Sequence, residues 1–447
     1  MTTVQLPAPA VRPKAVRPKA VARTGLYAVL AANVAVVAAL FASSGASANA
    51  LVLLGRLTGL YGALLMAFQL VLVARLPWLD RRLGMDRLTS WHRWVGFTLL
   101  WLLVAHAVFI TLGYAQLASL PPVDEFVSLA TTVDGVLRAV VALLVIMAVG
   151  GVSARWARRR MAYETWHFIH LYTYIAVVLA FSHQIGTGTT FTASPAATAY
   201  WWGLWGCALG SVVVGRLVLP LWRNVRHRLR VAAVVPESHD VVSIYITGRH
   251  LDRLPARAGQ FFLWRFLTRD RWWQANPFSL SAAPDGKYLR LTAKALGPGS
   301  ASLRAVRPGT RVFAEGPYGA FTTLHRTRPN TLLVAGGVGI TPIRALLEEL
   351  RGHVVVIYRV SRPQDAVLLH EVRGLAQARG AVLHVVTGPS DRAPLGPHAL
   401  AHAVPDIRDR DVFVCGPPGM TGAVLRGLRD LGVPKPQVHA ERFSLAS

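Results

Sequence analysis

Leu88–Tyr114 reads LTSWHRWVGFTLLWLLVAHAVFITLGY, an apolar run interrupted by two histidines, His92 and His106. At about 1.5 Å per residue a helix of this length crosses the roughly 30 Å of a bilayer's hydrocarbon layer. An ionisable side chain inside a span is costly, so each histidine either bonds a neighbouring helix or marks a functional site. The two stand 14 residues apart. That is nearly four turns, so both face one way, about 21 Å apart along the axis.

Five more apolar segments have comparable length: Thr24–Ser44, Ala50–Leu79, Thr131–Ala154, Ala162–Ile185 and Ala196–Trp222. Their loops alternate in charge. One set holds Arg75, Arg81, Arg82 and Arg87, then Arg155, Arg158, Arg159 and Arg160, then Arg223, Arg226, Arg228 and Arg230. The basic residues Arg12, Lys14, Arg17, Lys19 and Arg23 precede the first segment. The other set is uncharged, or acidic at Asp124 and Glu125. By the positive-inside rule both ends of a six-helix bundle face the cytoplasm of a plasma-membrane protein. A formal net charge of +26 would otherwise suggest nucleic acid. The placement of the arginines beside the spans argues for lipid and against nucleic acid, and an arginine-rich coding bias accounts for part of the excess. Residues 1–23, with VRPKA twice, read as a disordered basic tail. Two cysteines, Cys207 and Cys415, without CxxC spacing exclude cysteine-ligated clusters.

Segment five carries His167, His170 and His183; the remaining four segments carry no histidine. His170 and His183 are 13 residues apart, about 20 Å. Segments three and five run the same way, so His92 pairs with His170 and His106 with His183. Two bis-histidine haems stacked through the bilayer would fit. A 13-residue step on a straight helix turns the second ring away from the first, so a kink, a π-bulge or tilt is required. His167 reads as structural or as an alternate for His170. The stretch Trp166-His167-Phe168-Ile169-His170-Leu171-Tyr172-Thr173-Tyr174 and the two spacings resemble the ferric reductase and NADPH oxidase superfamily. That resemblance implies haem ligation by His92, His106, His170 and His183, with the later histidine of segment five's motif as the ligand.

Beyond Arg223 the pattern changes. Short alternating stretches at Leu229–Val235, Val241–Thr247, Gln260–Phe266, Tyr288–Ala293 and Arg311–Glu315 read as a small antiparallel barrel. From Thr331 apolar strands alternate with helices, through Thr341–Leu350, His353–Arg359 and Asp411–Cys415, as in a doubly wound parallel sheet. The expected architecture is multi-domain. A transmembrane bundle over 24–222, haem-carrying by that resemblance, precedes a β-barrel over 223–326 and an α/β domain over 327–447, whose motifs imply FAD and NAD(P) binding by resemblance.

Several motifs of this half resemble the ferredoxin–NADP reductase module. Gly259-Gln260-Phe261 is similar to its barrel strand, and Glu315-Gly316-Pro317-Tyr318-Gly319 to the barrel's end. Asn276-Pro277-Phe278-Ser279 is similar to its flavin motif, and Gly297-Pro298-Gly299-Ser300 to its flavin-pyrophosphate turn. Asn276 stands where that family usually has Arg or His, and Lys294 or a nearby arginine would compensate. Gly336-Gly337-Val338-Gly339-Ile340-Thr341-Pro342 lies between a strand and a helix, suiting a nucleotide pyrophosphate. Taken with Cys415-Gly416-Pro417-Pro418-Gly419-Met420, the resemblance implies Gly416, Pro417 and Met420 at the nucleotide. It puts Cys415 beside the nicotinamide, and Phe443 over the flavin ring. Cys415 also reads as an inert buried thiol. Arg359 and Arg362 suit a 2′-phosphate, which favours NADPH over NADH, although a solvated basic loop would look the same.

The expectation is an NAD(P)H-dependent oxidoreductase passing electrons through FAD and two b-type haems to an outer-face acceptor. A ferric chelate, oxygen (as in a superoxide-generating NADPH oxidase) and a redox protein all remain open. A nucleotide-binding membrane sensor or transporter without haem is the reading from another class.

Overall fold

The computed structural model describes residues 19–45, 47, 49–158, 160–161, 163–389 and 395–442. The expected tail lies largely outside this range, as does Phe443. The chain divides into two compact units, one from Arg23 to Leu221 and the other from Trp222 onward.

The first unit holds six helices long and apolar enough to cross a membrane. The first is Lys19–Ser43, beginning inside the stretch read as tail. The second is Ala50–Val73, whose first turn is capped by Asn49 Oδ1 accepting from the Leu51 and Val52 amides at 2.8 and 3.2 Å. It stops six residues short of the expected Leu79. Arg75 sits in the left-handed region (φ 57°), and Pro77 opens a separate short helix, Pro77–Leu83. Proline suits a first helical turn because it has no N–H to leave unpaired. The third helix, Met85–Ala118, runs unbroken past both histidines. Pro122–Thr132 forms its own helix, so the fourth span starts only at Val136 (Val136–Ser153), after Gly135 turns the chain at φ 82°. The fifth span is two helices, Tyr163–Leu171 and Thr173–Thr187. The sixth runs from Pro195, with Ser194 Oγ accepting the Ala197 amide at 3.1 Å. It passes through a π turn at Val214–Val218 and ends as Leu219–His227.

Helices two and three pack closely because glycines face the partner. A Cβ added at Gly55 would stand 2.7 Å from Ile110 Cγ1, and one at Gly113 2.7 Å from Val52 Cγ2. Small residues at such crossings substitute contact area for the hydrophobic drive that lipid removes.

The second unit holds two layered subdomains. Strands β1 (Arg230–Pro236), β2 (Val241–Thr247) and β5 (Tyr288–Lys294) form one antiparallel sheet. Strands β4 (Asn276–Ser279), β3 (Phe261–Phe266) and β6 (Val312–Tyr318) form another. Isolated bridges Leu280↔Leu291 and Arg230↔Arg311 join the two sheets edge to edge, closing a barrel. Its interior is packed by Ile244, Ile246, Phe262, Trp264, Phe266 and Leu291. Closure leaves no edge for a foreign strand to extend.

The remaining strands are β7 (Asn330–Gly336), β8 (Val354–Val360), β9 (Val382–Thr387), β10 (Arg410–Gly416) and β11 (Val438–Arg442). They form one parallel sheet in the order β11-β10-β7-β8-β9. The order reverses between β7 and β10. In open parallel sheets that crevice, outside the carboxyl ends of the strands, is where ligands bind.

Candidate functional site

The bundle brings its four expected histidines together in two pairs. His92 and His170 have ring centres 6.0 Å apart, at 70° to one another. His106 and His183 are 6.4 Å apart at 59°. An imidazole nitrogen bonds a first-row metal at about 2 Å and lies roughly 1 Å from its ring centre. Two axial rings on one iron therefore stand about 6 Å apart. No hydrogen bond links the rings of either pair, so neither is a mutually bonded structural couple. Among the described residues no cluster of three or more His, Cys, Asp or Glu gathers. Two-nitrogen donor sets of this kind suit a metal that brings its own equatorial ligands, as porphyrin iron does. The residues present therefore fit haem.

Between His170 and His183 the fifth span breaks at Tyr172. The Tyr172 amide donates to the Ile169 carbonyl at 3.1 Å and the Ile175 amide to the Tyr172 carbonyl at 3.0 Å, both three-residue closures. Thr173 Oγ1 donates to the His170 carbonyl at 2.7 Å.

Three of the four rings have their Nδ1 engaged. His106 Nδ1–H donates to the Gly55 carbonyl at 2.7 Å. His183 Nδ1 is 3.0 Å from Thr187 Oγ1, whose own proton goes to the His183 carbonyl at 2.9 Å, leaving the hydroxyl oxygen as acceptor. His170 Nδ1 is 3.4 Å from Ser153 Oγ, which also accepts from Trp166 Nε1 at 3.1 Å. An engaged Nδ1–H fixes the tautomer and leaves the Nε2 lone pair for a metal. His92 Nδ1 is buried without a partner, while the Gln69 amide donates to the His92 carbonyl at 3.0 Å. Trp166 stacks on His170, ring centres 5.1 Å apart, and lies 6.4 Å from the ring of His167.

Gly55, Gly59, Thr187 and Ser153 are contributors that reading the histidines alone does not find. A Cβ at Gly59 would meet His106 Nδ1 at 2.6 Å, so glycine there makes room for the ring. The signal was present in the Gly55, Gly59, Gly62 spacing of the second span, a small-residue face.

In the second unit the nucleotide motifs converge on the crevice between β7 and β10. Cys415 pairs with Ala335, setting Gly416 beside Gly336. A Cβ at Gly336 would stand 2.5 Å from Met420 Sδ and 2.9 Å from Pro417 Cδ; one at Gly416 would stand 2.6 Å from Met420 Cε. Gly337 has φ 53°, and Gly339 backs directly onto the Cys415 carbonyl. Thr341 and Pro342 are buried in the first turn of the helix Ile340–Glu349, and Thr341 Oγ1 donates to the Val338 carbonyl at 3.0 Å. A cavity here is lined by Lys294, Gly336, Gly337, Arg359, Asp365, Pro417 and Met420.

Lys294 thus belongs to the nucleotide crevice, where it pairs with Asp240 at 3.3 Å. Arg359 donates to the Gly388 carbonyl at 3.1 Å. Arg362 does not line the cavity; it pairs with Asp365 at 3.1 Å. Cys415 is fully buried, and burial together with the nearby Glu441 pushes its thiol well up, so it stays protonated. Phe443 lies outside the described residues; Arg442 before it pairs with Gly416.

The flavin motif lies on β4. Ser279 is buried, Phe278 half-buried and Pro277 exposed, with the Asn276 amide donating to the Gln274 carbonyl at 3.4 Å. Gly299 faces it: a Cβ there would be 3.9 Å from Asn276 Oδ1. Ser300 Oγ accepts from the Leu296 and Gly297 amides at 2.9 and 3.2 Å, closing the turn. The turn thus stands beside the start of the strand.

A buried ionic network joins barrel to sheet. Arg290 of β5 donates to the Ser281 carbonyl at 2.8 Å and to Glu371 at 2.9 Å. Arg344 of the helix Ile340–Glu349 donates to Glu371 at 2.8 Å and to the same Ser281 carbonyl at 3.2 Å. Burial pushes the Glu371 carboxyl up, but the hydrogen bond and charge of Arg290, with Arg344, outweigh it and hold the group below the usual carboxylate range.

Residues 58–181 match the family described as ferric reductase like transmembrane component, and residues 333–426 match the oxidoreductase NAD-binding domain. The chain is 31% identical over 189 residues to ferredoxin–NADP reductase B of Sorangium cellulosum, covering 37% of this chain and 77% of that protein. It is 30% identical to a flavohemoprotein of Deinococcus radiodurans over 50% of this chain and 60% of that one. An NADPH oxidoreductase of Mycobacterium tuberculosis is 28% identical, over 52% and 63%. The chain therefore spans less than two thirds of the latter two. A solved FAD/NAD-binding domain of a nitric oxide dioxygenase from Vibrio cholerae aligns with TM-score 0.41 and 26% identity, over 48% of this chain and 98% of that one.

Proposed function

We propose, for a chain that belongs to the ferric-reductase-like family and carries a ferredoxin–NADP reductase-type module, that it moves electrons from cytoplasmic NAD(P)H across the plasma membrane to an outer-face acceptor. That it is a multi-pass transmembrane oxidoreductase binding NAD(P)H follows from its two family matches and six apolar helices, and FAD binding accords with its likeness to ferredoxin–NADP reductase B. The haems, the direction and the acceptor are our reading. The observation that carries it is the pairing of imidazoles at two levels of one bundle, 6.0 and 6.4 Å between ring centres.

When bound, the flavin would accept a hydride from the nicotinamide and release its electrons singly, and each haem would carry one at a time. The protein's part is placement. Gly336, Gly339 and Gly416 keep side chains out of the β7/β10 crevice, so that backbone approaches the nucleotide pyrophosphate. Arg359 and Lys294 offer cations to its phosphates, which suits NADPH. The network of Arg290, Glu371 and Arg344 holds the strand of the flavin motif against the helix that starts at the nucleotide loop. His92 with His170, and His106 with His183, would hold the two haems at levels about 21 Å apart along the third helix. Gly55 and Thr187 hold two of these rings by Nδ1. A haem held by both imidazoles of a pair would supply electron transfer and not a binding position for the acceptor. A ferric chelate is the acceptor we favour.

The test is the full protein in lipid vesicles, with flavin loaded. Anaerobic NAD(P)H should produce the absorption change of six-coordinate haem reduction, at two haems per chain. His106→Ala or His183→Ala should remove one haem and leave nucleotide-to-flavin transfer intact. Flavin-loaded protein free of iron porphyrin would overturn the reading in favour of a nucleotide-binding membrane module. Parallel assays with oxygen and ferric chelates decide the acceptor.

A further inference from the structure

We propose that Arg138 is a carboxylate-binding cation at the His106/His183 end of the bundle. Its ligand is a carboxylate either of the porphyrin held by that pair or of an anionic ferric chelate approaching it. The inference rests on the haem reading above.

Arg138 is the sole charged residue of the span Val136–Ser153. An arginine in a span is expensive unless it reaches water or a counter-charge. Here it does both in part: its side chain is 45% exposed, and Nη2 pairs with Asp134 Oδ1 at 3.0 Å. Asp134 is itself 88% exposed, so that pair is a weak, solvent-screened one. A guanidinium has five N–H donors, and no other hydrogen bond from Arg138 is made among the described residues.

Position gives the free donors a purpose. Gly135, at φ 82°, turns the chain so that the first turn of the fourth helix meets the end of the fifth. A Cβ at Gly135 would be 3.4 Å from Arg138 Nη2, 3.3 Å from His183 Cα and 3.8 Å from His183 Nδ1. The guanidinium and the imidazole of His183 thus flank the same point of backbone. Planar guanidinium matches a carboxylate through two parallel hydrogen bonds, which an ammonium cannot do. The other acids near this end of the sequence, Asp124 and Glu125, belong to the separate helix Pro122–Thr132.

The experiment compares full-length wild type, Arg138→Gln, Arg138→Lys and Asp134→Asn in lipid nanodiscs. Redox titration reads both haem potentials, and steady-state kinetics reads KM for ferric citrate and for oxygen, with gallium citrate as a redox-inactive competitor. If the ligand is a porphyrin carboxylate, Arg138→Gln lowers the potential of one haem only. If it is the chelate, potentials hold while the ferric citrate KM rises about tenfold, the loss of one charge-assisted contact. Gallium citrate inhibition then weakens in parallel and the oxygen KM does not move. Asp134→Asn, which frees the cation, shifts the same quantity the opposite way, and Arg138→Lys recovers only part of the effect. A two-haem Arg138→Gln protein with unchanged potentials and KM overturns the inference; should that variant misfold, an Asp134→Asn protein without any shift does so. Wild type without iron porphyrin sinks the underlying haem reading instead.

Discussion

The carbonyl of Gly55 accepts a hydrogen bond from Nδ1 of His106 at 2.7 Å, across two helices packed at glycine distance. Gly59, one turn on, supplies the room that ring occupies. Gly59→Ala therefore drives a methyl into the imidazole, an overpacking cost of about 1–3 kcal/mol. On the proposed haem reading, the expected outcome is a haem-to-protein ratio that falls from two to one, with flavin content unchanged. Extracted haem assayed against protein checks it, and two haems retained with native spectra would contradict it.

Thr187→Val removes the acceptor at His183 Nδ1. Hydrogen bonding at that nitrogen raises the ligand's basicity and favours the ferric state. The potential of one haem should rise in Thr187→Val, and less in Ser153→Ala, because the Ser153 contact is longer at 3.4 Å against 3.0 Å. A redox titration that ranks them the other way removes the second contact from the account.

Gly336→Ala places a methyl against Met420 Sδ and Pro417 Cδ. Flavin content should stay, while flavin reduction by NAD(P)H requires at least about tenfold more nucleotide, equivalent to about 1.4 kcal/mol. Adding Met420→Ala should recover part of the loss. Stopped-flow flavin bleaching measures both.

Glu371 answers to pH. Its folded carboxyl lies below the ordinary 4.5, so its contribution to stability is complete above that value. That contribution is lost as pH falls through the lower, folded value. Glu371→Gln leaves the guanidinium of Arg290 without its anion, a cost of about 1 kcal/mol at neutral pH because the half-buried carboxylate is partly screened by solvent. The variant should release flavin at lower temperature at pH 7 and converge with wild type in acid. A constant gap between the two at every pH would remove the ionic role.

Much of this was readable in advance, for physical reasons. Six spans follow from hydropathy, because lipid enforces apolar length. The histidine pairs follow from spacing, since a charge-capable ring in a span must have a use. Boundaries were less legible: the second span ends at Val73, where left-handed Arg75 and Pro77 stop it, and the fourth starts after Gly135. Hydropathy is blind to both, since apolar residues continue past each break. Strands β4, β9 and β11 were not expected as strands because their sequences are short or broken by polar residues; the sheet around them supplies the pairing. Lys294, expected as a cation for the flavin phosphates, stands at the end of β5 and lines the cavity shared with Gly336, Arg359 and Met420.

The interruption at Tyr172 has a consequence for tuning. One continuous rod would couple its two rings as rigidly as teeth on a gear, so that any shift at one level re-aims the other. Split into two shorter rods, the fifth span frees its own two rings from one another, while the unbroken third helix still ties their partners together. Should the two pairs hold haem as proposed, the geometry of each pair would be set from the fifth span, one short rod per level.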